Sequence, residues 1–171
     1  MFALSLHSDD PATRYAELAD AADAITAGER DAIANMANVA ALIWEALPDL
    51  NWAGFYRMSA DRSELVLGPF QGKAACIRIA LGKGVCGTAA ASGDVQLVED
   101  VNAFPGHIAC DAASRSELVV PIIHDGAVIA VLDLDSPLPA RFGEVDAAGC
   151  KALCQRIAAR LAAPLAAAQA Q

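Results

Sequence analysis

The chain has 171 residues, 12 Lys and Arg against 21 Asp and Glu, and a formal net charge of −9. This length suits about one domain, with a core large enough to fold without disulfide or metal staples. The acidic balance excludes a general nucleic-acid binder and a binder of anionic membranes, both of which need a basic surplus. Alanine supplies 40 residues, and no apolar run reaches the ~18 residues of a membrane span. The opening MFALSLHSDD has neither a basic n-region nor a secretory apolar stretch. A cytoplasmic location is expected. There, the five cysteines read as core thiols, metal ligands or redox groups rather than a disulfide framework.

Asp10 followed by Pro11 reads as a helix start, with Tyr15, Leu18, Ala19, Ala22 and Ile25 at helical spacing. After Thr26-Ala27-Gly28 a second helix places Ile33, Met36, Ala37, Ala40, Ile43, Trp44 and Leu47 on one face, and Pro48 ends it. Strands are predicted at 52–58, 64–68, 76–80 and 95–98, with a glycine turn and short helix in LGKGVCGTAAASGD between the last two. Runs 118–123 and 127–135 flank His124-Asp125-Gly126, a hairpin signal. A last helix follows Arg141-Phe142-Gly143 and fades near Pro164. The order predicts an α+β fold over 10–163, one antiparallel sheet with helices gathered on one face, and flexible termini at 1–9 and 164–171.

Cys150 and Cys154, four apart on the last helix, read as core thiols. Cys86, at the start of a short helix, lies where unpaired N–H groups favour a thiolate. Cys110 falls in an irregular polar loop beside Asp111 and Arg115, and Cys76 at a strand start. The hairpin carries Asp133 and Asp135 on one face, and Glu117 opens the partner strand. A two-residue turn would set Glu117 opposite Leu134. A three-residue turn would set it opposite Asp133 and diagonal to Asp135, and this second register is expected. Three carboxyls on one face raise one another's pKa and keep a proton near neutrality. On 52–56, Trp52, Gly54 and Tyr56 share a face opposite Phe55 and could wall a pocket. The Gly82–Thr88 stretch lacks the spacing of a phosphate-binding P-loop.

Several segments in order resemble the free methionine-(R)-sulfoxide reductases, which are GAF domains. They are Gly68-Pro69-Phe70-Gln71-Gly72-Lys73, Ala75-Cys76-Ile77-Arg78-Ile79, Gly84-Val85-Cys86-Gly87-Thr88-Ala89, Gly106-His107-Ile108-Ala109-Cys110-Asp111-Ala112-Ala113-Ser114, Ser116-Glu117 and Val131-Leu132-Asp133-Leu134-Asp135-Ser136. The resemblance implies a single GAF domain: a six-stranded antiparallel sheet, N- and C-terminal helices on one face, and a ligand pocket on the other. It also implies a homodimer. By position it makes Cys110 the nucleophile, Cys76 the main resolving thiol and Cys86 a second one. Glu117, Asp133 and Asp135 match the acidic pocket, and Trp52 and Tyr56 its aromatic wall. The implied reaction reduces free L-methionine-(R)-sulfoxide through a sulfenic acid and a disulfide. Thioredoxin, fed by NADPH, then reduces that disulfide; no bound cofactor and no metal are implied. Two other readings carry different tests. A non-catalytic GAF sensor would bind without forming methionine, and a zinc site of Cys76, Cys86, Cys110 and His107 would hold stoichiometric metal, though the spacing lacks tight Cys pairs.

Overall fold

The computed structural model describes residues 7–106 and 111–162. Its elements are α1 (Pro11–Ile25), α2 (Ala32–Ala46), β1 (Trp52–Met58), β2 (Glu64–Gly72), β3 (Arg78–Ala80), α3 (Gly84–Ser92), β4 (Gln96–Val98), β5 (Ser116–His124), β6 (Ala127–Ser136) and α4 (Glu144–Leu161). The first two helices start where their caps dictate. Asp10 accepts from the Thr13 N–H, and Asp31 from those of Ile33 and Ala34. The six strands form one sheet in the order β3-β2-β1-β6-β5-β4, with every pairing antiparallel.

Alternation along the strands builds two cores. Ala53 and Phe55 of β1, Leu118, Val120 and Ile122 of β5, and Ala130, Leu132 and Leu134 of β6 meet α1, α2 and α4 on one face. Trp52, Tyr56, Val119 and Val131 point to the other face, where they pack with α3. The N- and C-terminal helices α1, α2 and α4 thus share one face, as expected, and the short helix α3 covers the opposite face. Its small side chains and glycines let it lie close. A Cβ on Gly87 would overlap the Ala80 carbonyl oxygen.

Helices α1 and α4 approach just as closely, since a Cβ on Gly149 would strike the Tyr15 ring. Asp146 ties this corner together. It accepts from Tyr15 Oη at 2.7 Å, from Arg141 Nη1 at 3.2 Å and from the Gly143 N–H at 2.8 Å. Cys150 and Cys154 are buried in this helical core, as expected. Strand β2 runs four residues beyond its expected end, because β1 continues to pair with it from Gly54 to Trp52. Strand β3 starts at Arg78, so Cys76 lies in the loop before it and not on the strand.

The hairpin corrects the expected register. The turn has two residues, Asp125 and Gly126, both at positive φ (49° and 75°), and His124 pairs with Ala127. A bulge at Ile129 then shifts the ladder, so that Ile122 pairs with Ala130 and Glu117 with Asp135. Neither expected partner, Leu134 or Asp133, is the one found. The extra residue also reverses the alternation near the turn: Val128 packs on the α3 side and Ile129 on the helical side. Of the expected termini at 1–9 and 164–171, residues 1–6 and 164–171, including Pro164, lie outside the described residues.

Candidate active site

Three strands bring the acids together. Glu117 on β5 stands opposite Asp135 on β6, Val119 stands opposite Asp133, and Gly54 on β1 faces Asp133 from the other side. Gly54 leaves room here, since a Cβ on it would overlap Phe70 and the Trp52 ring. Glu117, Asp133 and Asp135 line one cleft with Cys86 and Tyr56, and α3 closes its far side. Asp111 and Ser114 complete the rim.

Burial sets the electrostatics. Glu117 is 6% exposed and Asp133 5%. Removal from water, reinforced by Asp133 and Asp135, pushes Glu117 well above the ordinary carboxyl range. Burial pushes Asp133 up to about 7, against the opposing hydrogen bonds from Cys86 and Glu117. Asp135 is raised by burial and by Asp133, with a Ser114 hydrogen bond pulling the other way. The cleft therefore holds carboxyl protons near neutral pH, as the clustering of like charges implied. Asp111 is the exception. The Ala113 N–H and Lys73 lower its pKa, and Lys73 Nζ lies 3.2 Å from its Oδ2.

The cysteines separate into distinct environments. Cys86 Sγ donates to Glu117 Oε1 at 3.9 Å, and burial with the two nearest acids raises its pKa well above that of a free thiol. The expected thiolate at a helix N-terminus is thus overturned, because desolvation and neighbouring carboxyls outweigh the helix dipole. Cys76 is half-buried against the α3-side core and is disulfide-bonded. Cys86, Cys150 and Cys154 are free. Cys110 and His107 lie outside the described residues, but Asp111, the next residue after Cys110, is on the cleft rim.

The two aromatic residues stand together on the cleft side of the sheet. Tyr56 lines the cleft, and Trp52 stacks against it. The Trp52 ring stacks on Tyr56 (5.7 Å between centroids) and on Phe70 (5.2 Å), and its Nε1–H donates to the Lys73 carbonyl. Those contacts hold the indole in the core. Sequence reasoning gave no role to Ser114 or Asn51. Asn51 Nδ2 donates to Ser114 Oγ at 3.0 Å and to Asp111 Oδ2 at 3.3 Å. The pair fastens the 111–114 segment to the start of β1. Ser114 was visible only as one residue of a motif, and Asn51 carried no pattern at all.

The GAF domain family matches residues 33–162, from α2 to α4. The free methionine-R-sulfoxide reductase of Escherichia coli is 51% identical over 143 residues, 84% of this chain and 86% of that protein. The chain belongs to the free methionine-R-sulfoxide reductases. Protein YtsP of Bacillus subtilis is 55% identical over 85% of this chain and 90% of its own length. The crystal structure of the Neisseria meningitidis reductase with its substrate superposes with a TM-score of 0.90. It is 45% identical and covers 95% of this chain and 97% of that one. The match to the reductase fold therefore takes in the sheet, α3 and the helical face together, and the zinc-protein reading of Cys76 loses a ligand to the disulfide.

Proposed function

We propose that this protein reduces free L-methionine-(R)-sulfoxide to methionine, using Cys110 as nucleophile and the buried acids as proton source. The observation that carries the reading is a carboxyl cluster whose member Asp133 holds its proton up to about pH 7. A sulfoxide sulfur accepts a nucleophile readily only when its oxygen receives a proton or a strong hydrogen bond. The Cys110 thiolate attacks that sulfur, a carboxyl proton goes to the oxygen, and methionine leaves. The substrate sulfur gains two electrons and Cys110 becomes a sulfenic acid. Cys76 condenses with it, releasing water and forming a disulfide, which thioredoxin reduces by exchange with electrons from NADPH. The disulfide-bonded state of Cys76, beside three free cysteines, supports its resolving role. Cys86 is a second, slower resolving thiol, since its raised pKa leaves little thiolate.

The carboxylates that do not give up a proton hold the substrate's α-ammonium. Tyr56 forms the wall beside the S-methyl, with Trp52 stacked behind it. No bound cofactor takes part. The enzyme acts as a homodimer in the cytoplasm; among the described residues no helix is long and apolar enough to cross a membrane. Free methionine released per mole of enzyme tests the proposal. The wild type is expected to turn over with thioredoxin, and Cys110→Ser to bind substrate and release none. Binding without methionine formation by the wild type would instead identify a sensor.

A further inference from the structure

We propose that the same cleft is a binding site for a thiophilic divalent cation, Zn²⁺ above all, held by Cys86 Sγ and one carboxylate oxygen each from Glu117 and Asp133. Ligand atoms of these three buried residues all lie within 4.8 Å of one another, and Cys86 Sγ and Glu117 Oε1 are 3.9 Å apart. Tetrahedral zinc, with bonds of about 2.3 Å to sulfur and about 2.0–2.2 Å to oxygen, sets its donors roughly 3.4–3.6 Å apart. Contraction by at most about 1.4 Å between any two donors would complete the set.

A second observation points into the same space. Asp133 is 5% exposed, lines the cleft, and its Oδ1 has no hydrogen-bond partner. A buried carboxylate oxygen in that state costs free energy that a cation would recover. The cleft offers about 30 Å³, room for an ion and one remaining water. That water makes the fourth ligand beside three protein donors. A thiol among so few donors excludes Mg²⁺ and Ca²⁺, which want six or more oxygens. The donor set differs from the spacing-based one in the sequence, since Cys76 is disulfide-bonded and neither it nor a histidine takes part. On binding, the Cys86 thiol proton and any proton shared by the two carboxyls leave to solvent, and the ion offsets the repulsion among three negative groups. The ion is an occupant of the pocket rather than a cofactor. Its competition with substrate rests on the reductase reading above; the metal site itself does not.

Cobalt(II) titration of the protein with the Cys76 disulfide intact tests the site, because Cys76 then contributes no thiolate. A thiolate-to-cobalt charge-transfer band is expected, saturating at one ion per chain and lost on adding Zn²⁺. Cys86→Ser should abolish the band and weaken zinc at least about tenfold, since loss of even an outer partner typically costs 10–100-fold. Asp133→Asn should keep the band and weaken zinc by a similar factor, while Cys150→Ser should change neither. No band, a band that survives Cys86→Ser, or unchanged affinity in Asp133→Asn would each overturn the proposal. Circular dichroism checks each variant, and Asp133→Asn decides if Cys86→Ser does not fold. Free methionine-(R)-sulfoxide should raise the apparent zinc Kd. If the band forms but substrate does not compete, the metal site stands and the placement of substrate among these acids fails.

Discussion

Asp133 concentrates the chemistry of the site in one side chain. Its pKa, pushed up to about 7 by burial, makes it a proton donor at neutral pH. The acid form is lost as pH rises through that value, so kcat is expected to fall above about pH 7. Asp133→Asn should remove that alkaline limb as well as lower kcat; a profile unchanged in the variant would take Asp133 out of the proton path. Asp135→Asn should slow the chemical step at neutral pH, because its carboxyl belongs to the same coupled acid network as Asp133, read by single-turnover methionine formation; an unchanged rate would take Asp135 out of that network. The thiols separate by reductant. Cys110→Ser should be inactive with any reductant. Cys76→Ser should fail with thioredoxin but turn over with dithiothreitol, which can reduce a sulfenic acid directly; equal loss in both assays would contradict a resolving role. At this scale the acids and cysteines were legible because their residue types and order are distinctive. The thiol state of Cys86 was not, because it depends on Glu117 and Asp133, which are distant in sequence.

At the scale of elements, the hairpin shows where sequence reasoning stops. Asp125-Gly126 specified a tight turn, but turn length alone did not specify the ladder. The bulge at Ile129 adds one residue, so a two-residue turn still delivers Glu117 to the acid face. A β-branched residue in an apolar run gives no local sign of a bulge. Helix positions were far more legible, because caps and 3.6-residue spacing are local signals. What those signals did not show is how closely helices pack. Gly149 permits the approach of α4 to Tyr15, so Gly149→Ala should destabilise the protein by about 1–3 kcal/mol through overpacking. Urea denaturation measures it, with little effect expected on KM because the site is on the other face of the sheet.

Across the whole molecule, one sheet divides two tasks: α1, α2 and α4 stabilise one face, while the other face carries α3 and the acids. Period-two alternation made that division readable, whereas the strand order β3-β2-β1-β6-β5-β4 was not legible, since local patterns do not encode which strands pair. The raised carboxyls have a global consequence. A group whose folded pKa lies above its unfolded value binds more protons in the native state, so stability falls as pH rises between the two values. For Asp133 that window runs from about 4 to about 7, at roughly 1.4 kcal/mol per pH unit for one proton. Wild-type stability in urea should therefore decline from pH 5 to pH 7, and Asp133→Asn should flatten the decline and be the more stable protein at pH 8.

The most direct test compares turnover of the R and S epimers of methionine sulfoxide, each free and within a peptide. An acidic cleft that holds the α-ammonium of a free amino acid is expected to reduce the free R epimer alone. Comparable rates on peptide-bound methionine sulfoxide, or on the free S epimer, would contradict it.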